Sequence, residues 1–258
     1  TDTEWECLIG GKKIREGAKI VLSNDLFALV MTNADGPRRI VRFEGDLNAH
    51  LSANGQMPLP PYIHEKLSDQ TRYQTVYANP AFTGSAAAPT AGLHFTNRLI
   101  ASLEKSGVEF ADVTLHVGLD TFQPVSEDDP AAHIIHKEWC EIDPDSAARI
   151  NRTKALGRRV IAVGTTSART LETAAQAAIE QGLNDPVAPI RGDTGIFILP
   201  GYAFRAVDAL ITNFHLPKST LIMMISAFIG REKTIELYEL AIREEYRFFS
   251  FGDAMLIL

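Results

Sequence analysis

The sequence predicts an α/β protein in two parts: a smaller part over residues 1–47, a small β-barrel or antiparallel sheet, and a larger α/β domain with a mostly parallel sheet over residues 48–258. Three observations predict it. The first 47 residues carry short apolar runs separated by turn residues, a proline-rich stretch follows, and beyond it strand-like runs alternate with helix-like ones.

In chain order, residues 5–9, 19–22, 27–32 and 40–43 are the predicted strands of the smaller part. Gly10-Gly11, Ser23-Asn24-Asp25 and Asp35-Gly36-Pro37 punctuate them. Such residues turn the chain, because glycine reaches conformations closed to others and Asn or Asp side chains bond nearby backbone. Met57-Pro58-Leu59-Pro60-Pro61-Tyr62 then holds the backbone extended, since a proline also bars the residue before it from helix. This stretch is the expected domain boundary. Beyond residue 73, residues 108–117, 159–163, 196–199 and 206–213 read as strands, and residues 96–105, 144–156, 167–180, 218–229 and 232–245 as helices. Ligands of such sheets bind where a strand ends and the next helix begins.

Composition bounds the function. With 45% hydrophobic and 22% charged residues in 258, the chain is ordinary globular material. Its longest apolar run, residues 221–229, is broken by Ser226 and is too short to span a bilayer. No apolar targeting segment is visible at the start. Cys7 and Cys140 lie far apart without metal-ligand spacing, which predicts buried structural thiols in a reducing compartment. The net charge of −7 excludes a uniformly basic nucleic-acid binder. Two local basic clusters remain: Lys12, Lys13, Arg15 and Lys19, and Arg149, Arg152, Lys154, Arg158 and Arg159. Charge runs like these are more often solvated faces.

Four strings carry candidate chemistry. A predicted strand runs into Gly164-Thr165-Thr166-Ser167 and a helix containing Arg169, where glycine admits a ligand to the backbone and the hydroxyls cap the helix or bond the ligand. The lysine of a P-loop is missing. The segment Ala88-Pro89-Thr90-Ala91-Gly92-Leu93-His94-Phe95 places a histidine just before a helix, as general acid or base or as a structural hydrogen-bonding residue. His116 and Gly118 end another strand, followed by Gln123 and then by His133 and His136 at i, i+3; no carboxylate or cysteine completes a metal signature there. Asn213-Phe214-His215 concentrates polar groups where an apolar strand stops, which favours a site. The aromatic stretch 246–253 suits stacking on a base or packing on the core.

The order and wording of these strings are more specific than any one of them. Tyr73-Gln74-Thr75-Val76-Tyr77, residues 87–95, Thr114-Leu115-His116-Val117-Gly118 with Thr121-Phe122-Gln123-Pro124-Val125, and residues 160–167, 212–221 and 246–253 follow one family's segments in sequence. From about residue 57 onward the chain resembles the S-adenosylmethionine:tRNA ribosyltransferase-isomerases of queuosine biosynthesis. The resemblance implies transfer and isomerisation of the ribosyl part of S-adenosylmethionine onto 7-aminomethyl-7-deazaguanine at the wobble position of tRNA. Epoxyqueuosine-tRNA, adenine and methionine are the products. S-adenosylmethionine is then consumed as ribosyl donor, with no metal and no further cofactor, by a cytoplasmic monomer. The family's further amino-terminal stretch, with an Asn-x-Thr-Arg segment, is not found, so the expected barrel is incomplete.

That reaction needs a base, help for departing adenine and a positioned amine. Histidines at the expected strand ends, His94, His116 and His215, are the expected acid–base pool. Gly164, Thr165, Thr166, Ser167 and Arg169 are expected to hold anionic or sugar portions. Gln123 and Asn213 orient polar groups, Phe95 or Phe214 packs on a base, and Thr90, Gly92 and Gly118 complete the substrate-binding set. Two competing readings are a metal-dependent hydrolase resting on His133 and His136, and a non-catalytic tRNA- or nucleotide-binding module.

Overall fold

The computed structural model describes residues 3–258 apart from 12–13, 34–37, 57, 61, 66, 83, 86, 119–136 and 218. The chain divides into two compact units, Thr1–Met57 and Pro58–Leu258.

In the first unit, β1 (Glu4–Leu8), β2 (Lys19–Ser23), β3 (Leu26–Asn33) and β4 (Arg38–Glu44) form one antiparallel sheet in the order β1-β4-β3-β2. Alternation decides which face is buried: Leu26, Ala28 and Val30 point inward along β3 and meet Val41 of β4. Across the β1–β4 ladder, Arg42 bonds Glu4 at 2.6 Å and Arg38 bonds Glu6 at 3.0 Å on the exposed side. Such exposed pairs contribute little, about 0–1 kcal/mol each. Helix α1 (Leu47–Asn54) follows, capped by Asp46, whose carboxylate accepts the Ala49 N–H.

The second unit contains two three-stranded sheets. One has the order β5 (Thr114–His116), β6 (Glu138–Ile142), β8 (Ile190–Thr194); the other β10 (Ala254–Ile257), β9 (Ala209–Asn213), β7 (Ile161–Val163). Helix α4 (Thr165–Glu180) packs on both. Nine of its 16 residues are buried, so it has more than one buried face, and Ala168, Ala174, Ala175 and Ala178 let the sheets approach its backbone closely. Helices α2 (Asn97–Lys105), α3 (Pro144–Ala155), α5 (Thr220–Ile229) and α6 (Arg231–Arg243) complete it. The core gathers Ile142, Leu171, Val187, Leu210, Phe214 and Ile225. Full burial of one such side chain is worth about 1.5–3 kcal/mol.

The expected mostly parallel sheet is corrected here. Among the described strands only β7 and β9 pair in parallel, Ile161 opposite Ala209 and Val163 opposite Ile211. The reason is connectivity: α4, followed by β8 of the other sheet, separates β7 from β9 and returns the chain parallel, whereas the pair α5 and α6 between β9 and β10 leaves it antiparallel. β6 also pairs antiparallel with both neighbours. Two strand expectations shift with it. The 108–117 run shortens to Thr114–His116, and residues 196–199 form no strand while Ile190–Thr194 do. Strand β6, unforeseen, buries Glu138 beside Cys140 and Ile142, and the inward carboxylate disguises the apolar alternation. Of the cysteines, Cys140 is buried and Cys7 half-buried; burial raises both thiol pKa values, for Cys7 with help from Glu6.

Glu172, midway along α4, has no exposed surface. Its carboxylate accepts the Tyr202 hydroxyl at 2.9 Å and the backbone N–H groups of Arg205, Ala206 and Val207 at 3.0 Å each. One buried charge thereby anchors the turn that feeds β9.

Candidate active site

The parallel strands β7 and β9 end side by side, and a cleft opens there. β7 stops at Gly164, whose N–H donates to the Ile211 carbonyl at 2.8 Å. Gly164 has φ 95° and ψ 149°, a conformation essentially restricted to glycine, and it starts α4 with no side-chain cap. The turn delivers Thr165 and Thr166 to the cleft wall and leaves the first amides of a 16-residue helix beside it. β9 contributes Thr212 and Asn213, then Phe214 and His215. A 3-10 turn, Thr90–His94, supplies Thr90 and Ala91. Gly92 within it is required by packing, because a side chain there would overlap the Tyr77 hydroxyl and Thr75. Val117 follows β5, and its N–H donates to Ser85 Oγ at 3.1 Å.

Tyr62, Phe249 and Ser250 form a further wall. The Tyr62 and Ser250 hydroxyls bond at 2.7 Å, and the Tyr62 and Phe249 rings lie 4.8 Å apart. Phe249 has φ 71°, rare for an aromatic residue, and such conformations persist where surrounding structure imposes them. Its N–H donates to the Phe214 carbonyl, and the loop is closed by Arg247 and Asp253, which exchange two backbone-involving bonds of 2.7 Å and a side-chain pair of 2.9 Å. Those bonds from Arg247 hold the Asp253 carboxyl below its usual range, with His94 adding a smaller electrostatic pull in the same direction.

Asn213 is the hub of the polar network. Only 2% exposed, it accepts the Thr90 hydroxyl at Oδ1 (3.1 Å) and places Nδ2 3.3 Å from His94 Nε2. His215 puts Nε2 2.8 Å from Thr212 Oγ1, and its backbone N–H donates to the Tyr238 hydroxyl at 3.0 Å. Burial pushes the His215 pKa down to about 4, so this imidazole is neutral at pH 7. No lining residue among the described ones carries a full charge at neutral pH: the surface is hydroxyls, one amide, one imidazole, aromatic rings and aliphatic groups.

The structure brings together Thr90, Gly164, Thr165, Thr166, Asn213, Phe214 and His215 from the sequence-predicted set, with His94 bonded to their hub. Others lie elsewhere. Phe95 is buried and meets Phe110 edge-on; Ser167 and Gly118 do not line the cleft. His116 stacks on Trp139 at 4.7 Å against Gly84, with Nε2 buried and without a hydrogen-bond partner. Arg169 turns away to β6 and bonds Glu138 at 2.5 Å. Gln123, His133 and His136 lie outside the described residues, among which no cluster of three or more His, Cys, Asp or Glu is arranged to hold a metal. Among those residues, too, no helix is long and apolar enough to cross a membrane.

Sequence reasoning missed Tyr62, read as part of a linker, and had no signal for Thr212 apart from its place in the strand-end string. Of the basic clusters, Lys12 and Lys13 are not described, and Lys19 sits 3.3 Å over the Phe27 ring. Arg152 and Lys154 pair with Glu109 and Asp208. Arg158 and Arg159 are exposed and precede β7, at the opposite end of that strand from the cleft.

Comparison with known proteins bears on this arrangement. The sequence model described as "Queuosine biosynthesis protein" matches residues 1–257. The S-adenosylmethionine:tRNA ribosyltransferase-isomerase of Carboxydothermus hydrogenoformans is 50% identical over 258 residues, 99% of this chain and 74% of that protein. The protein of the same name from Symbiobacterium thermophilum is 53% identical over 258 residues, 98% of this chain and 73% of that protein. Among solved structures, S-adenosylmethionine tRNA ribosyltransferase from Thermotoga maritima superposes with a TM-score of 0.51 at 34% identity, covering all of this chain and 71% of that one. On this evidence the chain belongs to the queuosine biosynthesis protein family.

Proposed function

We propose that this chain is an S-adenosylmethionine:tRNA ribosyltransferase-isomerase. It transfers the ribosyl part of S-adenosylmethionine to the aminomethyl group of 7-aminomethyl-7-deazaguanine in tRNA and isomerises it, releasing adenine and methionine. The relatives' shared name supports the reaction class, and the cleft supports the substrate. The carrying observation is a strand-end cleft lined by hydroxyls, an amide, a neutral imidazole and aromatic faces, with no full charge among its described lining residues. Such a surface suits a nucleoside, and the Phe214 and Phe249 rings suit a sulfonium cation. Thr165, Thr166 and the uncapped start of α4 are the groups for ribose hydroxyls or the methionine carboxylate. Acid–base and hydrogen-bonding work falls to His215 and His94 rather than His116.

S-adenosylmethionine is used as ribosyl donor, and the reading calls for no metal or other cofactor. The enzyme acts as a monomer in the cytoplasm, where its tRNA is found. The four-stranded sheet of the first unit is, in this reading, part of a small barrel. Phosphate contacts make tRNA binding salt-dependent, with Arg158 and Arg159 as the exposed candidates.

The test is turnover with S-adenosylmethionine and tRNA carrying the aminomethyl base, following adenine and methionine together. Release of both, dependent on the tRNA, is expected. Methyl transfer to the tRNA, or release of adenine and methionine that is indifferent to the tRNA, would overturn the assignment.

A further inference from the structure

His94 and Asn213 allow a finer assignment, whose place in the reaction rests on the function proposed above. An amide nitrogen can only donate a hydrogen bond. With Asn213 Nδ2 3.3 Å from His94 Nε2, that ring nitrogen must be the acceptor, and the proton of the neutral imidazole must lie on Nδ1. At the other end of the amide, Oδ1 accepts the Thr90 hydroxyl at 3.1 Å. Asn213 is 2% exposed at the end of the central strand β9, whereas His94 is exposed, so the fixed member is the amide and the reachable member is the ring. Asp253, paired with Arg247 at 2.9 Å, is the carboxylate that interacts electrostatically with the ring.

We infer that Asn213 is a positioning residue that holds His94 in its Nδ1–H tautomer, so that His94 serves the reaction as a hydrogen-bond donor and not as the general base. As the ribosyl carbon–nitrogen bond breaks, its electron pair goes to the departing adenine, which leaves as the anion and takes up a proton from water on release. His94 keeps its proton and donates a hydrogen bond through Nδ1–H that strengthens as negative charge grows on the base. Proton abstraction beside the sulfonium is left to another group, and His215, whose ring lines the cleft, is the histidine positioned for it.

The experiment is long-range nitrogen–proton NMR of the imidazole rings, with the His94 signals among the seven histidines identified by their loss in His94→Gln. In the wild-type chain Nε2 of His94 is expected to be unprotonated. In Asn213→Asp, which keeps the shape and the acceptor for Thr90 but offers no donor, Nε2 is expected to gain a proton. Turnover by Asn213→Asp should fall about 100-fold in kcat with KM for S-adenosylmethionine changed only a few-fold. A protonated Nε2 in the wild type would mean the amide faces the other way and would overturn the inference, with no variant needed. An unprotonated Nε2 persisting in a folded Asn213→Asp would also overturn it, as would unchanged kcat. The expected tautomers in a wild-type chain that releases no adenine would instead count against the proposed reaction.

Discussion

Replacing Glu172 by alanine tests whether one buried carboxylate holds the approach to the site. The side chain accepts four donors, the Tyr202 hydroxyl and the amides of Arg205, Ala206 and Val207. Arg205 is exposed and Tyr202 partly so, and water can replace the acceptor for them. Ala206 and Val207 are buried, at 0% and 4% exposure, so their amides would be left unpaired. An orphaned buried donor costs about 1–3 kcal/mol, so two cost roughly 4 kcal/mol. In a protein of this size that lowers the melting temperature by about 12 °C. The assay is thermal unfolding followed by circular dichroism, with Tyr202→Phe as comparison. Tyr202→Phe removes one partner and leaves the three amides satisfied, so a shift of about 3 °C is expected. Since the anchored turn feeds β9, Glu172→Ala should keep turnover at 25 °C and lose it on warming well before the wild type does. If Glu172→Ala melts within about 3 °C of the wild type, the hydrogen-bond accounting is wrong.

Three further outcomes follow from the site. Burial lowers the His215 pKa from 6.5 to about 4. The unfolded chain therefore takes up a proton below pH 6.5 that the folded chain refuses until about pH 4. Stability rises with pH across that window by roughly 3 kcal/mol and is fully present above it. Urea midpoints for His215→Gln should show a smaller slope between pH 4 and 6.5, and an unchanged slope would show that this imidazole is not shielded. Gly164→Ala should cost about 1–3 kcal/mol in urea unfolding through its backbone conformation. A new Cβ there meets nothing closer than 3.6 Å, so full stability would refute the conformational argument. Gly92→Ala drives a methyl into the Tyr77 hydroxyl and should cost about 1–3 kcal/mol. Part of that loss should return in a Tyr77→Phe background, and absence of any rescue would place the clash elsewhere.

Much of the site was legible because it is built from continuous strings. Residues 160–167 read as a strand running into a glycine-led helix, and residues 212–221 as an apolar strand ending in polar groups. Both stand in the structure as β7 with α4, and β9 with the residues after it. A strand end is a local event, since the apolar run stops, the next residue types turn the chain, and the polar groups left there meet solvent or ligand. The same locality made Asn213 and His215 visible one by one, though not the bond between Asn213 and His94.

What the sequence by itself determined is therefore the kind of protein and the segments that matter: mixed α and β structure, the family's strings in order, and the strand ends that carry polar groups. Direction and partnership were decided only by tertiary structure. Arg169 sits one helical turn beyond Thr165, yet the packing of α4 on β6 gives it to Glu138. His116 belongs to a site-like string, but stacking on Trp139 keeps it out of the cleft wall. Tyr62 and Ser250 are 188 residues apart and join hydroxyls in one wall of the cleft. Two helices rather than one between β9 and β10 set those strands antiparallel. The physical reason is common to all four. A residue's type fixes what its side chain can bond, whereas the bond it makes depends on which distant backbone is packed within about 3 Å of it.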